Sequence, residues 1–296
     1  MPFCLIKIFA LNNIKFYDII NLAGQSSEKT MENIKNYYKM LYEDANIPQG
    51  YRLNKNTIYF DQLSHFVGIR GNKYDQQKTR LLIVGRAVNG WGQLDVSTAD
   101  AFALEAVEKT KHSSFDWIIC ENGALRNDYS DDGQYYWLND SPFWRTNKKI
   151  WMSISENSDF EDSEQNRWVD HVAWTNLYKI APLDTGNPTT TMVKKQLTAC
   201  KNILKAEIEL FSPTHILFIT GYEWWFENFK DIFDIDFGNI KKNEYRGNNK
   251  NLFFAETNAL TSTGIKIVVA CRPEFRDENL YVEDVINSFN SLTIAN

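Results

Sequence analysis

Apolar residues fall into short unbroken runs separated by longer stretches with helical spacing. The first clear run is Leu81-Leu82-Ile83-Val84, which stops in the glycine-rich "GRAVNGWG". An apolar block of this length bounded by turn residues predicts a strand buried on both faces. Three more follow: "RWVDHVAWTNL" from residue 167, "HILFIT" from 215 and "IKIVVAC" from 265. Between them lie helical patterns. Met31, Ile34, Tyr37, Tyr38, Leu41 and Tyr42 share one face, and "STADAFALEAVEKTKH" (97–112) has Ser97 or Thr98 as its cap. "SPFWRTNKKIWMSI" (141–154) begins with Ser141 as cap and Pro142 at the first helical position. In residues 192–211, Val193, Leu197, Cys200, Leu204, Ile208 and Phe211 step by three or four until Pro213. "YEWWFENF" (222–229) reads as a short helix and "YVEDVINSFNSL" (281–292) as a closing one.

Strands alternating with helices predict an α/β fold, a three-layer α/β/α sandwich around a central, mainly parallel four-stranded sheet. Each run ends in polar or glycine-containing chain: Gly85 to Gly92, Thr175-Asn176, Gly221 and Arg272-Pro273. In open α/β sheets ligands bind outside the carboxyl ends of the strands. No internal repeat or strong boundary follows residue 80, so residues 31–296 read as a single domain. Residues 121–142 read as a long loop. The first thirty residues are apolar but interrupted by Lys7, Asn12, Asn13, Lys15 and Asp18, too often for a bilayer span or a signal peptide. Residues 1–30 are expected to be an upstream extension or disordered, with Met31 as the natural start.

A net charge of -6 argues against a protein that coats nucleic acid by charge alone, while leaving room for a local basic groove. Cys4, Cys120, Cys200 and Cys271 have neither metal-knuckle nor disulfide-framework spacing, which predicts reduced thiols in a cytoplasmic protein without bound metal. "GRAVNGWG" lacks the lysine of a P-loop and the spacing of a dinucleotide fingerprint.

The order of the tips is more specific than any one of them. "LLIVGRAVNG", "VAWTNLYKIAP", "CKNILKAEIELFSPTHILFITG" and "IVVACRPEF" together resemble the uracil-DNA glycosylase superfamily over roughly residues 80–290. In that superfamily a glycine-rich first loop, a Thr-Asn strand end followed by lysine and proline, a glycine after the third strand and a His-Pro-Ser tip recur in this order. Thr175-Asn176, Lys179 and Pro182 fall where the resemblance wants them. The chain departs at four points, the first being that its first loop has no proline. Arg86 stands where one branch carries the acid that orients water, Arg272 stands in place of the histidine, and Ile180 stands where the iron-sulfur branch has a cysteine. The resemblance therefore implies a DNA-repair N-glycosylase without an iron-sulfur cluster or other cofactor, acting on a flipped base as a monomer with DNA as partner and no membrane.

It implies roles residue by residue. Asn176 would read the pyrimidine edge, since its amide both donates and accepts; a turn-capping asparagine is the alternative. Gly85 and Ala87 would let the backbone approach the nucleotide. Phe143 or Trp144 would stack on the base, or else pack in the core. Arg145, Lys148 and Lys149 would meet phosphates or face solvent. Arg272, beside Pro273, would stabilise the departing base anion, or pair with Glu274 or Asp277. Arg86 cannot act as a base, so Asn89 would hold the water, with Asp95 as an alternative. Two rival functions stay open: a catalytically inactive member that binds DNA or a modified base, and an α/β enzyme acting on free nucleosides or nucleotides.

Overall fold

A computed structural model of the chain describes residues 16–45, 51–53, 56–58, 62–87, 96–112, 115, 126–127, 136–137, 141–157, 159–161, 167–183, 187–238, 240–241, 244–246, 249–251 and 253–293. Asn89 and Asp95, and nearly all of the stretch 121–140, lie outside them.

In chain order the elements are α1 (Phe16–Asp44), β1 (Tyr51–Leu53), β2 (Asn56–Ile58), β3 (Leu63–His65), β4 (Ile69–Arg70), β5 (Leu81–Ala87) and α2 (Ala99–His112). There follow β6 (Arg126–Asn127), β7 (Tyr136–Trp137), α3 (Pro142–Ile154), β8 (Ala173–Tyr178), β9 (Ile180–Pro182) and α4 (Thr190–Phe211). The chain continues through β10 (His215–Ile219), β11 (Glu244–Arg246), β12 (Asn249–Asn251), β13 (Ala255–Leu260), β14 (Lys266–Ala270) and α5 (Glu278–Asn290). Helix α1 passes without a break through Met31.

The protein is α/β, and its main sheet is mixed and six-stranded, in the order β13-β14-β10-β5-β8-β4. That corrects the expectation of four strands. The four runs read from sequence pair in parallel, and an antiparallel strand is added at each edge, β13 beside β14 and β4 beside β8. Both edge strands escape a search for apolar runs. β4 has only two residues, and β13 alternates buried with half-buried positions. Two further expectations are corrected. Residues 168–171 form a 3-10 turn, so β8 starts only at Ala173. Residues 222–225 are turns, and only Phe226–Asn228 are helical, as a single 3-10 turn.

Side chains alternate across the sheet. Leu82, Val84, Ile216, Phe218, Ile267 and Val269 pack with Tyr38, Phe102 and Leu204 of α1, α2 and α4. Leu81, Ile83, Leu217, Ile219, Val268 and Ala270 pack with Trp144, Trp151 and Tyr281 of α3 and α5. Helix starts follow local chemistry. The Thr189 hydroxyl accepts Met192 N–H at α4, Asp277 accepts the N–H groups of Asn279 and Leu280 at α5, and Thr98 accepts Ala101 N–H at α2. Ser141 occupies the cap position of α3 without a side-chain cap bond, and Pro142 begins the helix. After β5 the chain crosses to β8 on one side, then returns through α4 to β10 on the other. The strand order thus reverses between β5 and β10, the place where such sheets open a crevice at their carboxyl edge.

Candidate functional site at the carboxyl edge of the sheet

Gly85 and Asn176 are cross-strand partners in β5 and β8. A Cβ on Gly85 would stand 2.2 Å from Asn176 Oδ1 and 3.6 Å from Trp174 Nε1, so only glycine leaves room for this amide. Asn176 is 2% exposed, and its Nδ2 has no hydrogen-bond partner among the described residues. A buried amide donor left unpaired costs about 1–3 kcal/mol, which a ligand carbonyl would offset. Aromatic rings wall the same face. Trp174 lies 4.9 Å from Trp144 and 6.2 Å from the half-buried Phe143 between ring centroids. Trp144 itself is buried against Trp168 and Phe115 and belongs to the core. Of the two, Phe143 is the ring with exposed surface.

Arg86 leaves β5 on the other face and fills the reversal crevice. Its Nε donates to Thr220 O at 2.7 Å, bridging the ends of β5 and β10, and its guanidinium lies 5.0 Å above the Trp225 ring. Burial, and then the charge of Arg272, hold its pKa below the usual arginine value. Ala87 ends β5 half-buried, paired with Tyr178. Gly221 follows β10 in the left-handed region at φ 75°, and its N–H donates to Ala270 O, tying the tips of β10 and β14 together. Beyond β14, Pro273 is buried and Arg272 is exposed. Arg272 Nε lies 3.0 Å from both Glu274 carboxylate oxygens. The ion-pair alternative for Arg272 is thus the one the structure displays. Arg145 and Lys149 both pair with Glu278 of α5.

Sequence reading passed over several groups at this edge. Trp224 is 84% exposed and Phe275 105% exposed, in the loops after β10 and β14, each at positive φ. Glu256 of β13 accepts the Tyr222 N–H. Burial raises its pKa above the usual carboxylate value, while Tyr222 N–H, Arg86 and Arg276 oppose the shift. Phe275 was legible in principle, since it closes the quoted "RPEF". Nothing in "AETNAL" marks Glu256.

Thr175 and Lys179 point to the opposite face from Asn176. Lys179 Nζ donates to Glu207 at 2.7 and 2.9 Å and to Thr175 Oγ1 at 2.5 Å, and Glu207 also accepts Gly68 N–H. Lys179 is fully buried, so the lysine of the Thr-Asn motif is an internal ion pair. A cavity of about 350 Å³ lies elsewhere, lined by Met31, Arg70, Val107 and Leu210 near the amino edge of the sheet. Among the described residues no cluster of His, Cys, Asp or Glu could hold a metal ion, and no helix is long and apolar enough to cross a membrane. Compared with known proteins, the chain matches no family model and no curated protein.

Proposed function

We propose that the chain takes a nucleobase flipped out of DNA and hydrolyses its N-glycosidic bond, as a divergent relative of the uracil-DNA glycosylases with an α/β/α sandwich. The observation that carries this is the buried, unpartnered Asn176 amide over Gly85, beside the Trp174 and Phe143 rings. A pyrimidine carbonyl supplies the acceptor that Nδ2 lacks, and an aromatic wall favours a planar base over water. Base flipping needs such a pocket, because the reacting atom is unreachable inside a duplex. Arg86, held by Thr220 O and the Trp225 ring, lies on the opposite face of β5 from Asn176, so the polar group that would face the base is the Asn176 amide itself. Exposed Trp224 and Phe275 suit stacking against DNA bases.

A second function, recognition without hydrolysis, is favoured by one observation: Arg272 is closed onto Glu274. Single-turnover cleavage of uracil-containing single- and double-stranded oligonucleotides, with alkali to break abasic sites, separates the two. Cleavage lost in Asn176→Ala supports the glycosylase. Binding without cleavage supports recognition, and absence of salt-sensitive binding points to free nucleosides.

A further inference from the structure

We propose that the crevice on the face of β5 opposite Asn176 is a binding site of its own and takes an α-amino acid. Above Gly221, the Arg86 guanidinium holds the ligand's carboxylate and the Glu256 carboxylate holds its ammonium group. The site is separate from Asn176 and does not depend on the glycosylase function.

Side chains of β5 alternate, so Leu82, Val84 and Arg86 face one way and Ile83 and Gly85 the other. Arg86 is anchored on its face by Thr220 O, which accepts from Nε, and by the Trp225 ring beneath it. Among the described residues, neither of its Nη groups has a hydrogen-bond or ion-pair partner. Glu256 arrives from the edge strand. Ala255 pairs with Ala270 and Thr257 with Val269, so Glu256 is an extra residue in the antiparallel ladder. Such a bulge re-aims a side chain. Here the carboxylate reaches the tip of β10, where Oε2 accepts Tyr222 N–H. Gly221 lies between the two groups. A Cβ placed on it would lie 3.6 Å from Arg86 Nη2 and 3.7 Å from Glu256 Oε2, with no other atom of a described residue within 4 Å, its chain neighbours aside. Two opposite charges thus face one open point, yet no ion pair within 4.0 Å joins them.

The charges define the guest. A lone anion would meet Glu256 and a lone cation would meet Arg86, so the ligand carries both signs. Burial lowers the pKa of Arg86 and raises that of Glu256, which means that each charged form has given up hydration. An opposite charge beside each group offsets that loss, and a neutral amide edge does so less well. The other charges nearby are already matched. Arg272 is closed onto Glu274, while Glu223 and Arg276 act on Glu256 with opposite signs. The Cys271 thiol, pushed up to about 11 mainly by burial, stays neutral. Spacing then selects among zwitterions. Nη2 and Oε2 stand more than 4.0 Å and at most about 7.3 Å apart. Charge-assisted hydrogen bonds take up about 2.7–2.9 Å at each end. A carboxylate and an ammonium on one carbon, about 3 Å apart, bridge such a gap along a bent path. Zwitterions with longer spacers hold their charges too far apart. The planar fork of a guanidinium also matches a carboxylate better than an ammonium-type side chain would. Both protein groups are fixed before the ligand arrives, which reduces the ordering cost of binding.

The test is isothermal titration calorimetry of the full chain with each of the twenty standard amino acids, at up to about 10 mM. At least one should bind saturably. Its N-acetyl and methyl-ester derivatives, which each remove one charge, should bind about tenfold or more weakly. Glu256→Gln keeps an acceptor for Tyr222 N–H but loses the charge, and it should weaken that amino acid by about tenfold or more. Arg86→Gln should do the same, and Glu209→Gln, on the exposed face of α4, should match wild type. Wild type that binds none of the twenty overturns the proposal. So does a derivative blocked at either end that binds within about threefold of its parent, or a Glu256→Gln variant that binds within about threefold of wild type. Should a variant fail to fold, the comparison of parent and blocked derivatives on wild type decides alone. The glycosylase function is read separately, by cleavage at the Asn176 site, and stands or falls without this one.

Discussion

Replacing Gly85 by alanine tests the recognition site with a single methyl group. The new Cβ would stand 2.2 Å from Asn176 Oδ1, and opening that contact to the 3.4 Å at which ordinary packing begins demands a shift of about 1.2 Å. Gly85 does not need the left-handed region, so its backbone accepts alanine. The strain therefore falls on the amide, which has no partner at Nδ2 to hold it in place. Overpacking of this kind costs about 1–3 kcal/mol. The loss of unfolded-state freedom on replacing glycine offsets about 0.4–1 kcal/mol of that. The expected net destabilisation is thus modest, about 0–2.5 kcal/mol. Function should suffer more, because misplacing a positioning group by about 1 Å costs on the order of 10²-fold. Urea unfolding gives the first quantity, and single-turnover cleavage with binding to a uracil oligonucleotide gives the second. The double variant Gly85→Ala/Asn176→Ala removes the clash, so it should regain stability but not activity. Gly85→Ala that binds and cleaves like wild type would refute the reasoning, since the amide could then move without consequence.

Two further outcomes probe the scaffold. Lys179→Met and Glu207→Gln should each destabilise the fold, Lys179→Met by about 3–5 kcal/mol because it strands a charge in the core, and the double variant Lys179→Met/Glu207→Leu should regain most of that loss in urea unfolding. A Lys179→Met cost below about 1 kcal/mol would contradict the buried pair. His215, whose pKa burial and then the charge of Lys266 lower to about 4, is neutral in the fold and takes up a proton on unfolding between that value and about 6.5. Its contribution to stability is complete above about pH 6.5 and lost as pH falls toward 4, a slope that His215→Gln should remove in pH-dependent unfolding.

The sequence displays what burial on both faces forces into its pattern. Leu81 to Val84, Ile216 to Ile219 and Ile267 to Ala270 are apolar because helices cover each side, and α4 is periodic because one stripe meets the sheet. Edge strands lack that constraint, which is why β4 and β13 were illegible. The pairing of Gly85 with Asn176 at the sheet edge was legible, since the quoted motifs hold both. Glu256 was not, because its position depends on a bulge, and a bulge is a property of pairing between two strands. The reading of 222–225 as helix failed for a related reason. Trp224 and Trp225 have helical spacing but hold non-helical positions, with Trp224 at φ 69° and fully outward, and Trp225 beneath Arg86.

The stretch Thr175 to Lys179 serves two faces of the sheet. Thr175 and Lys179 turn inward and bind Glu207 of α4, while Gln196 of the same helix accepts the N–H groups of Lys179 and Ile180 and donates to Ile180 O. These bonds clamp the end of β8 to α4 from below. Asn176, between them in sequence, turns to the other face over Gly85. Under the proposed function this amide must meet a base edge within a fraction of an ångström, which needs a backbone that does not move, and loops rarely provide one. Here the rigidity comes from charged groups in the core, which by themselves add little net stability. Their expense is intelligible if the ion pair fixes the register of the residue beside it. On that account the lysine and the asparagine of one motif belong together because one holds the strand on which the other, under the proposed function, reads the base.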